Sequence, residues 1–424
     1  MKTKIALLAA ALTAAASGWA QEDTTTMTVN LSGVVSSALQ YNKQLQTSAM
    51  DRELYHQKRR EAMSSGLPQV SAEFTGTTYF NKALDFGGME MSMPNSLTFA
   101  ATASWTFAMQ QIAGVKLAKV AQRMAEQTIA QSELDVKANI TDTYYAVLIY
   151  ERNLDILNDN MADMKEIAKH TAHSYEVGVA ERTDVDQINI NVITLQNAII
   201  SLERNLESTK RLLVLQMGVP INTRIKTEET LEQVLLASPL EMDTTKFDIN
   251  NNVQYKQLLI NREIQEGTVK VKKFAYIPTL TAAYQYSNAI KGGFMNFDHV
   301  GTLKLSIPIF SGFNRHSQLK QAQIEVQRNE KNIELMEDNL AQNAEQYAYE
   351  FQTAVDAYNL QKENLEVAKR VLQNYRNKYD QGVLSSLDLT QANTNYLQAE
   401  TSYASACMDV LTAQTKLLKL YNLL

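Results

Sequence analysis

Two histidines and a glutamate have the types and the spacing that suit metal binding. His170 and His173 lie three residues apart, and Glu166 lies one turn before His170. On a helix all three would share one face, and imidazole and carboxylate groups are common metal ligands. Solvated histidines on a helix surface are the more ordinary interpretation of this spacing, and we favour it.

Three methionines form a second group with possible metal chemistry. They alternate at positions Met89, Met91 and Met93, between two predicted strands. Thioether sulfur is a soft ligand that suits Cu(I), but apolar packing of a loop explains the same pattern. The sequence therefore predicts no metal and no cofactor.

Signatures of enzymes and of nucleic-acid-binding proteins are also missing from the sequence. The chain has no P-loop, no GxGxxG and no Gly-x-Ser-x-Gly elbow. Its single cysteine, Cys407, excludes an intrachain disulfide and a cysteine metal cluster. The formal net charge of −6 argues against a nucleic-acid partner. We therefore predict that the protein is not an enzyme.

The amino terminus has the pattern of a secretory signal. Lys2 and Lys4 precede a short apolar run, and small residues at Gly18 and Ala20 suit cleavage before Gln21. We therefore expect a signal peptide at 1–20 and an exported protein.

Residues that break helices are scarce, which predicts long elements. Glycine and proline make up only 21 of 424 residues, about 5% against a usual share near 12%. Neither occurs in 115–177 or in 313–381. As helices these runs would extend about 95 and 100 Å. Heptad spacing from Tyr358 to Tyr379 predicts a coiled-coil seam in the second run.

The chain also repeats itself. The segment Tyr175-Glu-Val-Gly-Val with Asp184 recurs 204 residues later as Tyr379-Asp-Gln-Gly-Val with Asp388. Each copy lies between two predicted helices, where glycine suits a tight turn. The sequence therefore predicts two similar halves, each with a helix, a strand pair, a long helix, a turn and a shorter helix.

Each half contains two segments in which apolar and small polar residues alternate. The strands are predicted at about 70–80, 97–107, 280–289 and 300–309. Alternation over about ten residues suits a strand with one face in lipid, although a soluble sandwich strand has the same period.

The predicted organisation has four parts. They are a signal peptide at 1–20, a first repeat at 21–220, a connecting segment at 221–252 and a second repeat at 253–424. The long helices are predicted at about 110–177 and 313–380, and the shorter ones at about 182–217 and 386–421. The fold class is mainly α with a transmembrane β-barrel portion.

Four strands cannot close a barrel, because the outer strands would leave unpaired backbone groups in lipid. Two copies would supply eight strands and three would supply twelve, and only the wider barrel leaves a lumen. A polar strand face therefore favours a homotrimer over a dimer.

The signal peptide, the duplicated plan and the paired Tyr-x-x-Gly turns resemble the TolC-like outer-membrane efflux proteins. The resemblance covers essentially the whole mature chain. It implies a trimeric twelve-stranded barrel in outer-membrane lipid and a helical tunnel in the periplasm. It also implies an exit duct that meets a periplasmic adaptor protein directly and an inner-membrane pump indirectly.

The resemblance assigns two groups of site residues. The adaptor-docking tips would comprise Val177, Gly178, Val179 and Ala180 in the first turn, and Gly382, Val383 and Leu384 in the second. The periplasmic gate would comprise Asp388, Gln391, Asp184 and Tyr379. Asp184 and Asp388 are equally explained as helix N-caps.

Two positions depart from the family's gate. Gln391 replaces a second aspartate, and Leu384 replaces an arginine that helps to hold some relatives closed. We therefore expect a weaker acidic ring and a looser closed state. The alternative function is a structural or adhesive trimeric coiled-coil protein of the cell surface.

Overall fold

The structure is a computed structural model that describes residues 26–78, 80, 83–86, 89–92, 95–241, 247–292 and 298–424. The predicted signal peptide lies outside these residues. The chain divides into two compact units. The first contains Met1–Gln46, Ser132–Phe247 and Gln342–Leu424, and the second contains Thr47–Gln131 and Asp248–Ala341.

Eight α-helices are found in the described part of the chain. They are α1 Leu31–Tyr41, α2 Lys43–Ser64, α3 Met109–Glu176, α4 Arg182–Met217, α5 Leu231–Ala237, α6 Val253–Phe274, α7 Asn314–Asp380 and α8 Ser386–Tyr421. Within the described residues, no helix is both long enough and apolar enough to cross a membrane.

Eight strands accompany these helices within the same residues. They are β1 Thr26–Val29, β2 Gln69–Thr77, β3 Ala83–Phe86, β4 Met89–Ser92, β5 Ser96–Phe107, β6 Arg224–Thr227, β7 Thr279–Lys291 and β8 His299–Ser306.

A four-stranded antiparallel sheet dominates the second unit. Its order is β2-β5-β7-β8. The register places Phe74 opposite Phe99, and Leu280 between Phe107 and Leu305. Side chains alternate between the two faces of a strand, so this register collects the apolar residues on one face. The other face carries Ser71, Glu73, Thr98, Thr102, Ser104, Thr281, Gln285, Thr302 and Lys304.

A short hairpin lies between β2 and β5. Strand β3 pairs with β4, and Met91 lies opposite Leu84. Met89 and Met91 therefore belong to a strand and not to the loop that the sequence suggested. Met93 lies outside the described residues.

The first unit is built around a helical core. Ile140, Tyr144 and Leu148 of α3 are almost completely buried, as are Leu213 of α4 and Leu411 of α8. These side chains follow the three- and four-residue spacing of a helix face that packs against its neighbours.

A small mixed layer covers part of this core. Strand β1 pairs in parallel with β6, with Val29 opposite Thr227. Thr230 caps α5 by accepting a hydrogen bond from the backbone N–H of Gln233. Lys210 Nζ lies 2.6 Å from Glu151 Oε1, and this ion pair joins α4 to α3.

The architecture confirms the predicted fold class at the level of one subunit. Two hairpins of long helices, α3–α4 and α7–α8, alternate with two pairs of strands that join in one sheet. The repeated sequence pattern therefore encodes a repeated structure.

Candidate functional site

The first hairpin turn follows directly from its glycine. Gly178 has φ of +79°, which costs little only for a residue without a Cβ. The N–H of Val179 donates to Ser174 O at 2.8 Å, and the N–H of Gly178 donates to Tyr175 O at 3.0 Å. This pair of bonds is a Schellman motif, which satisfies the last carbonyls of α3.

The second turn has the same geometry 204 residues later. Gly382 has φ of +71°. The N–H of Val383 donates to Lys378 O at 3.0 Å, and the N–H of Gly382 donates to Tyr379 O at 2.9 Å. The sequence repeat therefore produces two equivalent turns.

The two aspartates do not occupy the N-cap position that the helix-cap interpretation gave them. The N-caps are Glu181 of α4 and Ser385 of α8. Asp184 Oδ2 accepts a hydrogen bond from the N–H of Glu181 at 3.1 Å, and Asp388 Oδ2 accepts one from Ser385 Oγ at 2.6 Å. Each aspartate is the third residue of its helix. Glu181 and Asp184 form a capping box, whereas the N–H of Asp388 donates to Ser385 Oγ at 3.2 Å.

Apolar side chains are exposed to solvent at both turns. The exposed fractions are 61% for Val177, 82% for Val179, 74% for Val383 and 62% for Leu387. In a single subunit these side chains bury little surface, so they add little to its stability. Exposed apolar patches of this kind mark protein contact sites.

The two turns meet in one cleft of about 410 Å³. It is lined by His170, Thr171, Ser174, Val179, Ala180, Asp184, Tyr379, Gly382, Leu384, Ser385 and Ser386. The cleft brings together residues from both predicted groups. Asp388 and Gln391 do not line it: Asp388 is exposed on α8, and Gln391 Nε2 donates along the helix to Asn395 Oδ1 at 3.0 Å.

Packing behind the cleft joins all four long helices. Met164 and Ile167 of α3, Ile188 of α4 and Leu389 of α8 are buried in one cluster, against which Tyr379 of α7 packs. Leu384 also packs on this cluster. At the position where some relatives carry an arginine, Leu384 therefore supplies an apolar contact in place of a charge.

An ion pair that the sequence analysis missed connects the two hairpins. Arg376 Nη2 of α7 lies 2.9 Å from Asp163 Oδ1 and 3.2 Å from Glu166 Oε2 of α3. Desolvation acts to lower the pKa of Arg376, but hydrogen bonds and charges from both carboxylates outweigh it, and the net shift is upward. In the sequence, the only sign of a shared basic partner is that Asp163 and Glu166 lie about one helical turn apart.

Two members of the group that suggested a metal site, Glu166 and His173, have other partners in the structure. Glu166 is held by Arg376, and His173 Nδ1 lies 3.6 Å from Glu176 Oε2. Among the residues that the structure describes, no group of three or more histidines, cysteines or acids is arranged to hold a metal ion.

Comparison with known proteins agrees with this arrangement. The family model described as "Outer membrane efflux protein" matches residues 34–219 and 250–423. The outer membrane protein TolC of Salmonella enteritidis is 23% identical over 404 residues, which cover 89% of this chain and 78% of that protein.

Two solved structures share the fold at low identity. The outer membrane protein VceC of Vibrio cholerae has a TM-score of 0.76 at 13% identity, covering 92% of this chain and 95% of VceC. The CmeC outer membrane channel of Campylobacter jejuni has a TM-score of 0.75 at 16% identity, covering 95% of this chain and 90% of CmeC.

The family match takes in both predicted repeats and therefore most of the chain. It favours the channel over the adhesive surface protein, and it confirms that the protein is not an enzyme. The chain belongs to the outer membrane efflux protein family and is a TolC-type channel of the outer membrane with a periplasmic extension.

Proposed function

We propose that three copies of this chain assemble into a passive exit duct. The observation that carries the proposal is the sheet β2-β5-β7-β8, which has one apolar face, one polar face and two outer strands. In lipid, every backbone N–H and C=O needs a partner. Outer strands β2 and β8 therefore have to pair with other copies.

Strand directions support this closure. Each of the pairs β2–β5, β5–β7 and β7–β8 is antiparallel, so β8 runs opposite to β2. Pairing β8 of one copy with β2 of the next continues the alternation without a break. Three copies give twelve strands, which leave a lumen lined by the polar face.

Aromatic side chains at the helical end of the sheet support its position in a membrane. Trp105 Nε1 donates to Gly66 O at 2.9 Å, and the rings of Phe310 and Phe313 meet edge to face at 5.7 Å between centroids. Phe107 and Tyr276 are exposed nearby in sequence. Girdles of aromatic residues flank the apolar band of outer-membrane barrels.

Paired cysteines at the outer strands test this assembly. We expect at least one combination of Ser71→Cys or Glu73→Cys with Thr302→Cys or Lys304→Cys to give a reducible covalent trimer. Native Cys407 is buried and should not interfere.

The matched control uses the pair Thr75→Cys and Thr98→Cys. These positions lie opposite each other within the chain, so they should form only an intrachain bond. Folded protein in which every outer-strand combination stays monomeric would refute the closure.

The second part of the proposal concerns the tips. Val177, Gly178, Val179 and Ala180, with Gly382, Val383 and Leu384, form the surface that meets a periplasmic adaptor, through which an inner-membrane pump delivers cargo. The exposure of Val177, Val179 and Val383 and the equivalent geometry of the two turns support this role.

The third part concerns the gate. Asp184 and Tyr379 both line the cleft between the turns. Movement of one hairpin against the other at this cleft would open or close the gate. Asp388 and Gln391 lie further along α8, where three copies around an axis would form one acidic ring. Carboxylates in a narrow ring attract cations.

A further inference from the structure

Positive charge is concentrated where the helices of the second unit join the sheet. The segments 58–64, 109–123, 267–274 and 314–324 contain eleven lysines and arginines and one acid. The whole chain carries a net charge of −6. The concentration is therefore local and opposite in sign to the rest of the protein.

A groove between α3 and α6 lies within this basic region. Its volume is about 550 Å³. Its apolar wall consists of Met109, Ile112, Ala113, Leu117, Val120 and Phe274. Met109 follows the end of β5 by two residues, so the wall continues from the apolar strands.

Two lysines line the middle of the same groove, between Met109 and Phe274 on the side of the sheet and Glu263 and Glu266 farther along the helices. Lys116 and Lys270 both line it and are exposed. Lys116 lies nine residues beyond the end of β5 and Lys270 nine residues before the start of β7. At about 1.5 Å per helical residue, Lys116 lies about 13 Å beyond the end of β5. Lys270 is followed by four more residues of α6 and by the non-helical segment 275–278 before β7 begins. A lysine stem can carry its ammonium part of the way back.

The groove also contains two acids, and each lies near an arginine. Glu263 Oε2 lies 2.7 Å from Arg123 Nη1, and Glu266 Oε1 lies 3.8 Å from Arg262 Nε. Among the described residues, no ion pair involves Lys116 or Lys270. A second groove between α6 and α7 adds Lys273 and Lys320 beside Lys270. The ammonium groups are therefore available to an anion.

We propose that this groove binds an anionic glycerophospholipid of the periplasmic leaflet. An acyl chain lies against Met109, Ile112 and Phe274, toward the sheet, and the phosphate lies between Lys116 and Lys270. The inference rests on the proposed barrel, because that barrel places the strand ends at the periplasmic surface of the membrane. Charge complementarity and continuity with the apolar strands single out a lipid as the occupant.

The test is lipid retention by the full-length protein in native mass spectrometry. The purified assembly is exposed to phosphatidylglycerol and phosphatidylethanolamine with the same acyl chains. Each lysine near anionic lipid contributes about a fivefold change in affinity. We expect Lys116→Gln with Lys270→Gln to reduce the preference for phosphatidylglycerol about 25-fold.

Three comparisons give the test its controls. Lys165→Gln with Lys369→Gln removes two exposed lysines of α3 and α7 that belong to the first compact unit and not to the groove, and it should leave the preference unchanged. Ile112→Ser changes the apolar wall without adding a charge, at an exposed side chain, and should weaken retention of both lipids. Soluble glycerol phosphate should compete poorly, because it has no acyl chain.

An unchanged preference in the Lys116 and Lys270 double variant would overturn the proposal. Strong competition by glycerol phosphate would show an anion site without an acyl groove and would also overturn the proposal. So would the absence of any retained lipid, which is expected if a second copy of the chain fills the groove. Conductance in phosphatidylethanolamine membranes separates the two proposals. If the double variant conducts normally and loses the lipid preference, both hold. If the wild-type protein does not conduct, the proposed duct fails whatever lipid it binds.

Discussion

Replacing the exposed valines at the two turns should weaken adaptor docking about 100-fold and leave the fold intact. Val179 is 82% exposed and Val383 is 74% exposed. Substitutions at such surface positions change folding stability by about 0.5 kcal/mol or less. Burying a valine side chain against a partner contributes about 1.5–3 kcal/mol. At the lower limit of this range, Val179→Ser with Val383→Ser should cost about 3 kcal/mol of docking energy, which is about 100-fold in Kd.

The assay is the affinity of the solubilised channel for its purified adaptor, with dye export from cells as a second readout. Leu236→Ser is the matched control, because Leu236 of α5 is 84% exposed and does not belong to either turn. Equal adaptor affinity for the double variant and the wild type would refute the docking role of the tips.

Glycine variants at the turns separate docking from folding. No atom lies within 4 Å of a Cβ built on Gly178 or Gly382. Alanine at either position therefore costs only backbone strain, about 1–2 kcal/mol, confined to the end of a hairpin. A bulky Gly178→Phe or Gly382→Phe should block export at a normal surface level. Normal export by both phenylalanine variants would argue against docking at these turns.

Three further predictions concern the core, the gate and pH. A Cβ on Gly218, at φ of +74°, would overlap the carbonyl of Tyr41, so Gly218→Ala should cost about 3 kcal/mol or more in a thermal unfolding measurement, and an unchanged midpoint would contradict this packing. Asp388→Ala should abolish block of the conductance by periplasmic hexamminecobalt, and Gln391→Asp should strengthen it; block that persists in Asp388→Ala would place the gate elsewhere. Burial raises the pKa of Asp142, against the attraction of two lysines, so this group favours folding at low pH and loses that contribution as pH rises. Asp142→Asn should therefore raise the unfolding midpoint at pH 7 and give no gain below about pH 4. An equal gain at both pH values would exclude the carboxylate as the cause.

Local signals in the sequence were sufficient to predict the hairpins and the sheet. The repeated glycines adopt positive φ and close equivalent Schellman motifs, because such a turn depends on a few neighbouring residues. Alternation in β5 and β7 likewise determined which side chains share a face of the sheet. The family match then confirmed the predicted channel.

Features that depend on distant residues could not be predicted in this way. Strands β1 and β6 contain four residues each and pair across almost 200 positions, so neither has a readable period. The bridge from Arg376 to α3 depends on how two hairpins pack side by side. The N-cap interpretation of Asp184 and Asp388 was wrong although the predicted helix starts, at about 182 and 386, agree with the structure, because those starts already place both aspartates in the first turn.

The basic region beside the sheet was missed for a different reason. Net charge averages over the chain, and the acidic total conceals four short basic segments that are far apart in sequence. Only the fold brings Lys116 and Lys270 to one groove.

Single-channel recording of the purified protein in a planar lipid bilayer tests the central claim most directly. Assembly of three subunits into an open-ended duct predicts discrete, ohmic conductance steps from a fraction whose native mass is three chains. Folded protein of that mass that inserts into the bilayer and never conducts would contradict the duct, and conductance carried by a single chain would contradict the shared barrel.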